Sequence, residues 1–378
     1  MTDLTTYRDR FPILAETTYL ISHSLGPMPL EAKARLDAYA DMWMRRGIRA
    51  WGEGWWETPM TVGDQIARLI GAPPGSTVMH QNVTVASAVV LSCFPFTGER
   101  RRIVYGEGEF PSVRYLHQAQ AARGVDIVVV AGEDELVAAI DERTQLVLLS
   151  HVLFRTGRIQ DVEPVIARAQ EVGAHVLLDG YQSVGTVPLD VTALGVDFAT
   201  GGSVKWLCGG PGAGWLYVRP DLAERLEPTL VGWQGHADPF AFEPELRYAA
   251  GAARFLTGTP NVPALYAATA GYDVIEEIGV ASIRERSVEL TERLIGLLDE
   301  AGFETVSPRA PELRGGTVVV RVRDAPEVHA ELQRREILCD FRPEVGLRLG
   351  PHFFTTEDEL DVTVAAIREI AAPTGALS

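Results

Sequence analysis

Apolar residues return with helical spacing over residues 29 to 46, directly after a Gly-Pro-Met-Pro turn. They do so again over roughly 60 to 71, where Gly71-Ala72-Pro73-Pro74-Gly75 stops the pattern. Beyond this point the rhythm changes. Short β-branched runs alternate with helical stretches: RRIVYG, a helix over 112 to 123, VDIVVVA, EDELVAAI, QLVLLSH, DVEPVIARAQEVG, AHVLLD and VDFATGG. Strands that are apolar at nearly every position are buried on both faces, which predicts a mostly parallel sheet with helices over each side. A long helical stretch over 262 to 301, interrupted near Gly279, leads into strands GGTVVVRV, ILCDFR and GLRLG with helices between and after them. That second pattern predicts a smaller α+β unit at the C-terminal end. The chain shows no internal repeat and no low-complexity segment.

Composition narrows what such an α/β chain does. Its 378 residues, 46% of them hydrophobic, suffice for a large core and one further small one. A formal net charge of -17 has the wrong sign for a polyanion-binding surface, so nucleic acid is not an expected partner. The stretch MTDLTTYRDRFPILAE carries charges throughout and has neither the apolar core of a signal peptide nor a membrane span, so a cytoplasmic protein without membrane partners is expected. Cys93, Cys208 and Cys339 are scattered without a CxxC pair, which predicts neither a disulfide framework nor a metal site.

Ligands of parallel sheets bind where strands give way to loops, so the residue after each apolar run is where chemistry is expected. AHVLLD ends in Asp179, and the next segment delivers Ser203 and Lys205 within GGSVKWLCGGPGAG. A carboxylate at one strand end and an isolated lysine after the next suit an aldehyde cofactor with a basic ring nitrogen. Lys205 forms the Schiff base, and Asp179 keeps the ring protonated as an electron sink. Asp179 as a turn cap and Lys205 as a surface cation are the alternatives for each residue taken alone. In HQNVTVAS the backbone N–H groups of Val83 and Thr84 open an apolar helix and can receive a phosphate, or simply cap a core helix. Phe110, followed by Pro111, sets a ring at the same edge, to stack on a flat cofactor or to fill core. Arg348 lies inside the short apolar strand GLRLG, where its fork suits an amino-acid carboxylate or an internal ion pair, with Glu344 or Asp358 as partners. WGEGWW lines an aryl pocket, or packs as core or at an interface.

With Asp179, Lys205 and Arg348 in this order, the chain resembles the fold-type I, pyridoxal-phosphate-dependent enzymes of the class V aminotransferase superfamily, and within it the kynureninases. The resemblance runs through HSLGPMP (23 to 29), RAWGEGWWETPMTVGDQIARLIGAPPG (49 to 75), EFPS (109 to 112), HVLFRTG (151 to 157), GYQSVGTVPLDV (180 to 191), KWLCGGPGA (205 to 213), GWQGHADPFAFEP (232 to 244), RFLTGTP (254 to 260) and DFRPEVGLRLGP (340 to 351). It implies a large domain with a mostly parallel seven-stranded sheet over 48 to 258, a small α+β domain over 259 to 378, and an N-terminal segment, 1 to 47, packed with the small domain. It implies pyridoxal 5'-phosphate as cofactor, Lys205 as its imine lysine and proton carrier, Asp179 on the ring nitrogen, and Phe110 stacked on the ring. Val83, Thr84, Gln182 and Ser203 are implied around the cofactor, and Arg348, Ser24 and Trp51 on the substrate side. Trp233 and Gly258-Thr259 match segments that reach a neighbouring subunit's site, which implies a homodimer. The implied reaction is hydrolytic Cβ–Cγ cleavage of kynurenine or 3-hydroxykynurenine to alanine and an anthranilate. Related lyase, epimerase or transaminase chemistry, or a non-catalytic cofactor-binding protein, are the alternatives. A cysteine desulfurase needs a mobile nucleophilic cysteine, whereas Cys339 reads as a packed thiol. Kynureninases carry a tyrosine, an aspartate and an Asn-Tyr pair where this chain has Val204, Val113 and Leu153-Phe154, so these polar groups have become apolar.

Overall fold

A computed structural model describes residues 3–371; residues 372–378, the tail of the expected small domain, and residues 1–2 lie outside it. The chain opens with 3-10 turns and a short strand β1 (Thr18–Tyr19), then helices α1 (Leu30–Arg46) and α2 (Thr58–Leu69). The seven-stranded sheet is built from β2 (Thr77–His80), β3 (Arg102–Gly106), β4 (Asp126–Val130), β5 (Thr144–Ser150), β6 (His175–Asp179), β7 (Phe198–Gly202) and β8 (Gly214–Val218). Its order is β2-β8-β7-β6-β5-β3-β4, and only β8 runs against the others. Helices α3 (Val83–Leu91), α4 (Pro111–Gln118), α5 (Glu133–Ala139), α6 (Glu163–Val172), α7 (Val191–Leu194) and α8 (Pro220–Arg225) accompany the strands. The expected helix over 112 to 123 is α4 for its first two turns and tightens to a 3-10 turn over Ala119–Arg123 before Gly124 ends it with φ 84°. GWLYV, which the alternation rule passes over, is the antiparallel strand β8, reached through the loop over residues 203–213 rather than by a crossover helix.

Alternate residues of the apolar strands separate into two cores. Leu146, Leu148, Leu177 and Phe198 face one side with Val83, Val89 and Val113, while Val147, Leu149, Val176 and Leu178 face the other with Ile66, Ile166 and Leu265. Burial on both faces is why these strands carry almost no polar residue.

Helices α9 (Val262–Ile278) and α10 (Val280–Glu300) are separated by Gly279 at φ 84°, and they lead into β9 (Glu304–Thr305), β10 (Val318–Arg321), α11 (Ala325–Arg334), β11 (Ile337–Leu338), β12 (Asp340–Arg342), β13 (Gly346–Leu349) and α12 (Glu357–Ile370). ILCDFR reads as one strand but serves two sheets: Ile337 and Leu338 pair in parallel with β1, while Asp340–Arg342 pairs with β13 in the four-stranded sheet β12-β13-β10-β9. Leu20 of the N-terminal segment packs into the core of this sheet, among Leu294, Val318 and Leu349. Among the described residues no helix is long and apolar enough to cross a membrane, and no group of His, Cys, Asp and Glu is placed to hold a metal ion.

Candidate active site

Asp179 ends β6 with Ser150 of β5 and Thr200 of β7 as its register partners, so three neighbouring strands bring these residues to one edge. Its Oδ1 accepts the Tyr181 N–H at 2.7 Å. Burial raises its pKa, while that N–H and the charge of Lys205 oppose the rise.

Lys205 follows β7 on a loop held from three directions. The Gly26 N–H from the N-terminal segment donates to Val204 O at 2.7 Å, and buried His352 of the small domain donates from Nε2 to Trp206 O at 2.9 Å. The indole of Trp206 donates to Gln182 Oε1 at 3.0 Å, and Gln182 Nε2 donates in turn to His23 O at 3.0 Å. Gly26 has to be a glycine, because a Cβ there would lie 2.2 Å from Lys205 O. The side chain points between two aromatic rings, with Nζ 4.3 Å from the Tyr181 centroid and 5.4 Å from that of Phe110. Burial pulls its pKa down to about 7, Asp179 pulls it back up, and the Arg348 charge lowers it further.

Lys205, Asp179, Phe110, Val83, Thr84 and Gln182 line one cavity of about 530 Å³, together with Asn82, Val85, Ser112, Ser150, Val152, Phe154 and Tyr181. The Asn82 side chain caps α3 by accepting the Val85 N–H at 3.1 Å, which leaves the Val83 and Thr84 N–H groups at the helix start without intrahelical acceptors. An apolar aromatic lining, a carboxylate at one wall, a low-pKa amine and a helix N-terminus fit a phosphorylated pyridine aldehyde: α3 and Thr84 could hold the phosphate, Asp179 the ring nitrogen, and Lys205 the aldehyde.

The other expected site residues do not line this cavity. Ser203 is buried beneath the loop, where its hydroxyl donates to Ala213 O at 2.6 Å and meets the hydroxyl of Tyr272. Ser24 is half-buried in a turn closed by its N–H to Ile21 O, and Trp51 packs edge-on against Trp55 at 5.5 Å. Thr259 is exposed, and Trp233 lies in an aromatic cluster with Trp56, Phe240 and Phe242. Arg348 is buried in an ion pair, and its partner is Asp340 rather than Glu344 or Asp358, both of which are exposed. The hairpin register sets Asp340 directly across from Arg348, whose Nε donates to Asp340 Oδ1 at 2.7 Å while Nη1 donates to Phe154 O at 2.7 Å. Through Phe154 this pair abuts the cavity. Burial would raise Asp340, but His23 and Arg348 hold its carboxyl far below the usual carboxylate range.

Three residues outside the expected site set contribute as well. Tyr181 supplies the second ring beside Lys205, and its place two residues after Asp179 was the available signal. Ser150, the last residue of QLVLLS, fell under the same strand-end rule as Asp179. Glu109, the residue before Phe110, is a carboxylate at the sheet edge with both oxygens on Ser150: the Ser150 N–H donates to Oε1 at 2.9 Å and its hydroxyl to Oε2 at 2.5 Å.

The family model for aminotransferase class-V matches residues 46–353, which includes every residue lining the cavity. The chain belongs to the aminotransferase class-V family. It is 33% identical to a kynureninase of Pseudomonas fluorescens, over 96% of this chain and 91% of that one. It is 32% identical to the uncharacterized aminotransferase YcbU of Bacillus subtilis, over 97% of each. Among solved structures, an apo cysteine desulfurase from Thermococcus onnurineus superposes with a TM-score of 0.85 at 22% identity, covering 98% of both chains. C-DES, carrying a mutated lysine and with glycine covalently linked to its PLP cofactor, superposes with a TM-score of 0.87 at 24% identity, covering 96% of this chain and 99% of that one. The fold of this class-V chain is the fold-type I architecture expected from its motifs, a mostly parallel seven-stranded sheet with a smaller α+β portion.

Proposed function

We propose that this class-V protein is an enzyme acting on an amino acid, with kynureninase-like hydrolytic Cβ–Cγ cleavage of kynurenine, 3-hydroxykynurenine or a related aryl amino acid as its reaction. Its cofactor is pyridoxal 5'-phosphate, which when bound draws electrons from the substrate α-carbon. The observation that carries the reading is the convergence of Lys205, Asp179 and two aromatic rings in one cavity. With its amine close to neutrality in pKa, Lys205 is the group that takes the aldehyde and afterwards moves the α-proton. Asp179 supplies negative charge against the ring nitrogen, and the Val83 and Thr84 N–H groups supply donors for the phosphate. Arg348, held by Asp340 and meeting the cavity wall through Phe154 O, is assigned the substrate carboxylate. Phe110, Phe154 and Tyr181 give an aryl side chain flat surfaces to lie on.

A homodimer belongs to the same reading. Trp233, Phe240 and Phe242 form one aromatic surface with Trp56, and Trp233 and Thr259 are assigned to the neighbouring subunit's cofactor site.

A second reading, amino-group transfer, is favoured by the equal resemblance to YcbU and by the apolar Val204 and Val113 where kynureninases carry polar groups. Incubating the cofactor-loaded protein with L-kynurenine and 3-hydroxykynurenine and analysing products by mass spectrometry separates the two. Anthranilate and alanine are expected. A keto acid formed only when an amino acceptor is added would replace cleavage by transfer, and no product from any amino acid would remove both.

A further inference from the structure

Glu109 is buried, and the chemistry above makes no use of it. It joins β3 to α4, and among the described residues no cationic side chain bonds it: both oxygens are taken by Ser150. Ser150 lines the cavity, and it is the register partner of Asp179. Two carboxylates therefore lie close together at the ends of the sheet, with one amine, Lys205, on the Asp179 side. Two buried negative charges facing one cation are costly, so one of them keeps its proton around neutrality. Asp179 has Lys205 to favour its ionised form. Glu109 has only the Ser150 donors, and the charge of Asp179 works against its ionisation.

We propose that Glu109 and Ser150 form a proton-holding pair that sets the negative charge around Asp179 and, through it, how firmly the cofactor holds its protons. This rests on the cofactor part of the function proposed above and not on the substrate. With Glu109 protonated, its O–H donates to Ser150 Oγ, and the serine hydroxyl is free to turn toward the cavity. With Glu109 ionised, its proton has left to solvent, the serine hydroxyl turns back to Oε2, and a second negative charge stands behind Asp179. Burial lifts Glu109 to about 7, Ser150 opposes the rise, and Asp179 adds to it, so the switch falls near neutrality. The other titratable groups at this corner do not compete. His151, next after Ser150, and His117 on α4 are kept neutral by burial, with pKa values near 4. Lys205 acts on the pair through Asp179.

The test is a pH titration of the cofactor absorbance in the loaded protein, run beside binding of pyridoxal 5'-phosphate to the stripped protein. Glu109→Gln cannot ionise, so the midpoint of the cofactor band should fall by about one pH unit, a tenfold loss of proton affinity. Glu109→Asp should restore the wild-type direction. Ser150→Ala removes the hydroxyl that favours ionised Glu109 and leaves only the backbone N–H, so its midpoint should also fall, which keeps the test open should the glutamine variant not fold. A folded Glu109→Gln or Ser150→Ala protein with the wild-type midpoint, or one that loses only thermal stability, overturns the proposal. Absence of cofactor uptake by the wild-type protein would instead sink the cofactor reading on which it depends.

Discussion

A free lysine amine near pKa 10.4 is almost wholly protonated at neutral pH and a poor nucleophile. Lys205 escapes this because burial pulls it to about 7 while Asp179 limits the fall. The sign follows directly: the neutral amine attacks the aldehyde, and its fraction grows as pH rises through that value. Uptake of pyridoxal 5'-phosphate by the stripped protein, followed as growth of the imine absorbance, should therefore accelerate from pH 6 to pH 8 and then level off. Lys205→Ala should show no borohydride-reducible adduct at any pH. Asp340 offers a second test at this scale. Asp340→Asn leaves the Arg348 guanidinium buried beside a neutral amide, and breaking such a pair costs about 3–5 kcal/mol, readable as a lower denaturation midpoint. That Lys205 and Asp179 meet at one cavity was legible in the sequence because each follows an apolar run to the same sheet edge, although Asp179 also caps the turn into Tyr181, the alternative given for it. The Asp340 partner of Arg348 was not, because it depends on a hairpin register that places residue 340 across from 348. Glu109 was missed for a related reason: its acceptor role becomes visible only when β5 sets Ser150 beside the loop after β3.

At the scale of elements, strand and helix periodicity located the sheet, α1, α2 and the break at Gly279 to within a few residues, since each is written in local spacing and a terminating glycine or proline. Periodicity could not give the direction of β8 or the division of ILCDFR between two sheets, because pairing partners lie far away in sequence. Helix α3 is the element on which the cofactor assignment depends most. Its N-cap, Asn82, satisfies the Val85 N–H and holds the first turn so that the Val83 and Thr84 donors stay exposed to the cavity. Asn82→Ala should cost about 1 kcal/mol of stability, the ordinary value of a lost cap. If α3 holds the phosphate, the substitution should also weaken binding of pyridoxal 5'-phosphate more than binding of dephosphorylated pyridoxal. Equal weakening of both in equilibrium titrations would detach α3 from phosphate binding.

At the scale of the whole molecule, several large apolar side chains stand on the surface of a chain with a net charge of -17. Met44 (76%), Ile48 (80%) and Phe242 (74%) are largely exposed, and Phe242 adopts a left-handed φ of 53° while stacking on Trp233 at 5.8 Å. A non-glycine residue held in that conformation is kept there at a cost, and the cost is offset if the ring is buried by something else. Exposed patches of this kind mark interfaces, and a stable one covers roughly 800 Å² per partner. Trp56 links the surface following α1 to the loops around 233 to 242, so a second copy seated here would cover both at once. The same loops carry Trp233 and lead on to Thr259, which lie outside the chain's own cavity, so the interface and cofactor retention should be lost together. Met44→Glu combined with Phe242→Glu puts charges into the patch and should convert a dimer to a monomer in analytical ultracentrifugation, with faster loss of cofactor on dilution. Val362→Glu, at an exposed apolar position on α12, is the control and should change neither. A wild-type chain that sediments as a monomer and still keeps its cofactor would return Trp233 and Thr259 to ordinary surface residues. The active site would then be complete within one chain.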